Sequence, residues 1–183
     1  MTAPVIIGVF GVSGVGKSWL VSEVASRIPG CLHLQGSALI KQGLADPSVS
    51  SEELRRSGGD HIFANQRILV AMFERALSER PGSLVLFDGH LLVDTAAELI
   101  EVPQTVIGAL HPALLIHVEA DPWLIAARRQ ADPTRIRPAR DFATLAMHQT
   151  RSRYLCQSYA RFQSIPMHVV RSGDVDALTA LCQ

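Results

Sequence analysis

The sequence predicts one α/β domain, a parallel β-sheet layered between helices. Three observations carry this. Short apolar, β-branched runs alternate with helical patterns along the whole chain, as expected of a sheet buried on both faces. The 183 residues are 48% hydrophobic and only 19% charged, which fills one core and is too apolar for a disordered chain. A glycine-rich turn separates the first apolar run from the first helical pattern.

Taken in order, Val5 to Phe10 is the first strand, too short and too β-branched for a core helix. A helix from Lys17 to about Ile28 follows and is stopped by Pro29-Gly30. Cys31 to Leu34 is a second short strand, and Ser37 to Gln42 a short helix. Residues 43 to 60 hold clusters of Gly, Asp, Pro and Ser and read as an irregular insertion. Asp60 is placed to cap a long helix reaching about Arg80, closed by Pro81-Gly82. Leu84 to Phe87 is a buried strand ending at Asp88. Pro103 starts a helix to Leu110, and Ala113 to Val118 is the next strand. Asp121-Pro122 gives an N-cap with proline in the first helical position. Residues 132 to 140 form a loop with two prolines and three arginines, after which Asp141 caps a helix to about Phe162. Met167 to Val170 is the last strand, and Asp174 caps a short terminal helix. Neither an internal repeat nor a low-complexity tract is present.

Composition narrows the function. No apolar run reaches the roughly 18 residues of a membrane helix. The short apolar start turns glycine-rich too soon for a signal peptide. Cys31, Cys156 and Cys182 are scattered without C-x-x-C spacing, so a reducing, cytoplasmic setting is expected. Lys+Arg and Asp+Glu balance at 17 each, yet only Lys17 and Lys41 are lysines. Eight arginines lie between Arg128 and Arg161, against two acids, Asp132 and Asp141. Arginine's planar fork binds phosphate bidentately, so this stretch suits a polyphosphate, or else forms a solvated basic face. Extended nucleic acid is not expected, because the rest of the chain is acidic enough to cancel the patch. The histidines lack metal-ligand spacing, so no zinc site is expected.

Gly11-Val12-Ser13-Gly14-Val15-Gly16-Lys17-Ser18 fits G-x-x-x-x-G-K-[ST], with a strand before it and a helix after it. In such a loop the backbone N–H groups of Gly11, Ser13, Gly14, Val15 and Gly16 curl around the phosphates of a nucleotide, and the helix N-terminus adds its dipole. Lys17 reaches the β- and γ-phosphates, and the Ser18 hydroxyl holds Mg²⁺. The loop indicates a nucleotide and leaves the reaction open. An N-K-x-D segment, expected of a switch GTPase, is missing. Small size with an arginine-rich stretch points to a phosphotransferase with a closing lid over about residues 128–141, since phosphoryl transfer is mainly positioning and charge neutralisation. Arg128, Arg129, Arg135 and Arg137 are the lid candidates. The first two end a helix, where arginine also suits the dipole; the other two sit in the proline-bearing loop. Asp88, at the carboxyl end of a buried strand, is placed to hold Mg²⁺ through water or to orient the acceptor, or is simply a turn aspartate. His90 beside it is a site residue or a hydrogen-bonded loop histidine.

With these residues the chain resembles the archaeal-type adenylate kinases, nucleoside monophosphate kinases of the phosphate-loop class. The resemblance is carried by the glycine loop, Leu54-Arg55, Phe87-Asp88-Gly89-His90, Glu119-Ala120-Asp121-Pro122, Arg128-Arg129, Thr134-Arg135-Ile136-Arg137, His148-Gln149, Arg153 and Tyr159. It implies an adenylate-kinase-like α/β/α core, a five-stranded parallel sheet ordered 2-3-1-4-5, with an acceptor-binding insertion near residues 36–66. It also implies ATP and Mg²⁺, a small phosphorylated acceptor, and a homo-oligomer as one possible state. Arg55 then clamps the acceptor's phosphate, Gln66 faces its base, and Arg153 is a further substrate-binding residue. The chain departs from its relatives at Gly89, where they carry threonine, and at Pro138, where they carry an acid. It also departs at residues 101–104, where they are rich in Gly and Pro.

Three readings follow. The first is transfer of the ATP γ-phosphate to AMP or a related monophosphate. The second is a small-molecule kinase of the gluconate or shikimate kinase kind, with Asp88 as general base. The third is a nucleotide-binding regulatory protein.

Overall fold

The computed structural model describes residues 3–44, 59–80, 84–132 and 137–183. Its first strand, β1 (Val5–Phe10), lies at the centre of a five-stranded sheet. After it come α1 (Lys17–Arg27), β2 (Leu32–Gln35), α2 (Gly36–Gly43), α3 (Gly59–Glu79) and β3 (Leu84–Asp88). A hairpin of β4 (Leu92–Asp94) and β5 (Leu99–Glu101) leads into α4 (Gln104–Ala109). The chain ends with β6 (Leu114–Glu119), α5 (Pro122–Ala131), α6 (Phe142–Gln163), β7 (Met167–Arg171) and α7 (Val175–Ala180).

The sheet runs β2-β3-β1-β6-β7 with every neighbour parallel. Counting its five strands alone, that is the expected 2-3-1-4-5. Alternate residues of β1 explain the layering. Ile6 and Phe10 join Leu69, Phe73, Ile107, Leu155 and Tyr159 on one face, while Ile7 and Val9 join Leu20, Val24, Ile125, Leu145 and Leu178 on the other. Phe87 anchors the first cluster, meeting Phe73 edge-on at 5.5 Å between ring centres. Cys156 is fully buried in that cluster, and all three cysteines are free thiols.

Helix ends follow the caps with two corrections. Asp141 accepts from the Thr144 amide and Asp174 from the Ala177 amide, as expected of N-caps. Asp121 holds the N-cap position before Pro122 but makes no capping hydrogen bond with its side chain. Asp60 is not a cap, because α3 already begins at Gly59. Strand ends shift by one residue: β2 runs to Gln35, β6 to Glu119 and β7 to Arg171. Within the expected insertion, 36–43 and 59–66 are helical, and the intervening 45–58 lie outside the described residues.

The β4–β5 hairpin is new relative to the sequence reading. Two three-residue strands joined by a turn give almost no periodic signal. The turn is closed by Thr95, whose hydroxyl donates to the Glu98 carbonyl and accepts from the Glu98 amide. Tyr159 of α6 donates from its hydroxyl to the Val102 carbonyl at 2.7 Å, tying the hairpin's exit to the core.

Candidate functional site

Gly14 and Gly16 show why the loop after β1 needs glycine. Both take left-handed backbone angles, φ 88° and 99°. Both are also closely approached: a Cβ on Gly14 would lie 2.7 Å from Cγ of Arg129, and one on Gly16 2.9 Å from Nη1 of Arg128. Gly16 caps α1 without a side-chain hydrogen bond, so the first amides of α1 and the loop before them form a nest for an anion.

Lys17 and Ser18 open α1, and both meet Asp88 at the end of β3. The Ser18 hydroxyl donates to Oδ2 of Asp88, and Gln35 of β2 donates to Oγ of Ser18 at 3.1 Å. Nζ of Lys17 is 3.7 Å from Oδ1 of Asp88 and 3.5 Å from Nε2 of His90. Nε2 of His33 stands 3.9 Å from Oδ2. Asp88 is only 2% exposed. Burial pushes its carboxyl up, but Lys17, His33, Ser18 and His90 together outweigh burial and hold it well below the usual carboxylate range. A hydroxyl beside an ionised carboxylate is a hard-oxygen set that suits Mg²⁺ completed by waters and phosphate oxygens. Among the described residues no cluster of three His, Cys, Asp or Glu side chains forms an all-protein metal cage.

The arginines come to the loop from the opposite side. Arg128 donates from Nη1 to the Val15 carbonyl at 2.5 Å and to Oγ of Ser172 at 2.9 Å, which braces the loop's backbone. Arg129 lies against Gly14 and donates to Asp94 at 2.8 Å. Arg137 donates from Nε to Oγ of Ser13 at 3.1 Å and from Nη2 to Asp132 at 2.8 Å. Arg55 and Arg135 lie outside the described residues. Arg153 is 56% exposed, with Nη1 3.5 Å from Glu119, and stands apart from the loop's contacts.

Next to the loop a pocket opens between α2, α3, α4 and the hairpin. Ser13 and His90 line it together with Gly36, Ile40, Leu69, Phe87 and Ile107, and Asn65 and Gln66 contribute two buried amides. Asp94 also lines it. Asn65, Asp94 and Arg140 were not singled out by the sequence. Arg140 pairs with Asp94 in a partly buried position. No local motif marks these residues, which meet only through the tertiary fold.

A phosphate loop on a parallel sheet, a lysine and carboxylate at the strand ends, and arginines converging from the far side define a phosphate-loop phosphotransferase. Residues 10–146 match the family model described as an AAA domain, and the chain belongs to that family. Its sequence is similar to the adenylate kinase of Thermoplasma volcanium, 25% identical over 167 residues, spanning 90% of this chain and 88% of that one. It is likewise similar to the adenylate kinase of Thermoplasma acidophilum, 26% identical over 170 residues, at 90% and 87% coverage. Its fold is similar to that of shikimate kinase from Bacteroides thetaiotaomicron, with a TM-score of 0.59, 14% identity and 97% of each chain covered. No helix among the described residues is long and apolar enough to cross a membrane.

Proposed function

We propose that the chain transfers the γ-phosphate of ATP to a nucleoside monophosphate, AMP first, as a cytoplasmic enzyme. Residues 1–183 act as one kinase domain, with the acceptor bound near 36–66 and a lid over about 128–141. One observation carries the acceptor assignment: the pocket beside Ser13 offers buried amides at Asn65 and Gln66 between apolar walls. A flat base with a hydrogen-bonding edge matches that lining, and its phosphate would then face the phosphate loop.

In this reading Lys17 and the loop amides hold the transferring phosphoryl group, and Arg128 keeps the loop in shape. Arg129, Arg135 and Arg137 neutralise charge on the phosphates. Ser18 would hold Mg²⁺ directly and Asp88 through water. Bound there, Mg²⁺ supplies further charge neutralisation across the phosphate oxygens. Arg55 takes the acceptor's phosphate, Gln66 its base, and His90 the space between acceptor and Lys17. Arg153 is kept as an outer substrate contact.

The alternative, an alcohol acceptor with Asp88 as general base, fits less well. Asp88 does not line the pocket, and its oxygens are engaged by Ser18 and Lys17. A monophosphate attacks with an oxygen already ionised and needs no base.

The test is ADP formation from ATP and Mg²⁺ across AMP, other monophosphates and small alcohols such as shikimate and gluconate. The highest kcat/KM is expected with AMP. Turnover of an alcohol without turnover of any monophosphate would move the assignment to a small-molecule kinase. Nucleotide binding with no turnover of any acceptor would favour a regulatory protein.

A further inference from the structure

Asp94 is the last residue of β4, its side chain is 7% exposed, and its two oxygens go to two arginines distant in sequence. Oδ2 accepts from Nη2 of Arg129 at 2.8 Å. Oδ1 accepts from Nε and Nη2 of Arg140 at 3.2 and 3.0 Å, and Nη2 of Arg140 also donates to the Thr95 carbonyl at 2.9 Å. Nδ1 of His148 stands 3.9 Å from Oδ2. Asp94 therefore touches three parts of the site at once: the pocket wall that it lines, the end of α5, and the segment entering α6.

Arg129 explains why a carboxylate is needed there. Its side chain is 8% exposed and lies on Gly14 of the phosphate loop, close to the other cations that the loop gathers. Among the described residues Nη2 alone is bonded, and Nε and Nη1 are buried without a hydrogen-bond partner. A buried guanidinium with most of its donors unmet is costly unless an anion completes it, and phosphate oxygens on the loop have that chemistry. Among the described residues, Asp94 is the carboxylate that offsets this charge.

We infer that Asp94 is a positioning residue for phosphoryl transfer, fixing Arg129 against the phosphate loop from the acceptor-pocket wall and leaving its Nε and Nη1 for the nucleotide's phosphates. The inference rests on the kinase reading above. It adds that the acceptor wall sets the geometry of a charge-neutralising arginine on the nucleotide side.

Steady-state kinetics of Asp94→Asn test this in the full chain. Asparagine keeps the shape and removes the charge. The expected result is a roughly 10- to 100-fold fall in kcat, as for small misplacements of catalytic groups, with the AMP KM within about threefold of native. In an Arg129→Ala background the same change should cost less than about threefold, because the group through which Asp94 acts is already gone. Full additivity of the two kcat losses, or native kcat in Asp94→Asn, overturns the inference. If Asp94→Asn does not fold, Asp94→Glu keeps the charge but displaces Arg129 by a methylene. It should still lose at least about fivefold in kcat, and native kcat there is equally fatal. Slow ATP hydrolysis without acceptor is measured on the same variants. A native enzyme inactive on every monophosphate would sink the acceptor reading alone, while the ratio of Asp94→Asn to native hydrolysis would still decide the role of Asp94.

Discussion

The nucleotide end of the cleft is assembled from consecutive residues, Gly11 to Ser18, whereas the acceptor wall takes Gly36, Gln66, His90, Asp94 and Ile107 from five separate segments. The first is shaped by local backbone chemistry: left-handed glycines and a helix start define the nest, which Arg128 braces. The second exists only after the sheet, α3, α4 and the hairpin have come together. Damage should therefore look different at the two ends. A change in the loop removes chemistry from an otherwise sound protein, and a change in the wall alters acceptor choice or the surrounding packing, except at Asp94, which reaches the loop through Arg129.

Lys17→Ala should give the largest effect. Losing one charge contact to the transferring group is expected to lower kcat by roughly 10²-fold or more, with an unchanged circular dichroism spectrum. Near-normal turnover would end the contrast, since the loop would then be scaffold only. Arg55→Ala comes next and acts on the acceptor side. A lost charge-assisted contact of roughly 1.5–3 kcal/mol should raise the AMP KM by about 10- to 150-fold and leave the ATP KM nearly unchanged. A silent Arg55→Ala would mean that the acceptor carries no phosphate.

Replacing Arg135 and Arg137 together by alanine sharpens the comparison from the lid. Here kcat should fall about tenfold, more than ATP affinity does, because lid arginines act chiefly after closure. Isothermal titration with a non-hydrolysable ATP analogue separates the two effects. The smallest change is Tyr159→Phe, which removes the hydroxyl that reaches Val102 and leaves a buried carbonyl short of a donor. A cost of about 1 kcal/mol is expected, lowering Tm by about 2–4 °C with kcat unchanged. A drop in kcat at constant Tm would show that the hairpin's anchor serves catalysis directly.

These two ends also differ in how far they could be read in advance. The phosphate loop and the placing of Asp88 at a strand end follow from patterns a few residues long, and so were legible, whereas the sheet order came only with the family resemblance. The Asp141 and Asp174 caps were legible for the same reason, as each bond spans three residues. The hairpin was not, because three-residue strands carry too little periodicity to stand out from a loop. Asp94 gave no signal either: its meaning lies in Arg129 and Arg140, 35 and 46 residues away. Asp60 failed for a different reason. A good capping residue indicates that a helix starts nearby without fixing which residue starts it.

The three thiols turn the packing of this molecule into something a stopwatch can follow. Burial pushes Cys156 up to about 12, and burial with Cys31 nearby pushes Cys182 up to about 11. Burial also raises Cys31, against a backbone hydrogen bond at Leu86 that lowers it. Alkylating reagents consume the thiolate, which at neutral pH is a vanishing fraction of Cys156 and Cys182 in the folded protein. Cys156 sits on the buried face of α6, so its alkylation counts molecules that have opened their core. Cys182, past the end of α7 and only half-buried, should react sooner. One mass spectrum taken over time thus separates opening of the core from reaction of a half-buried thiol.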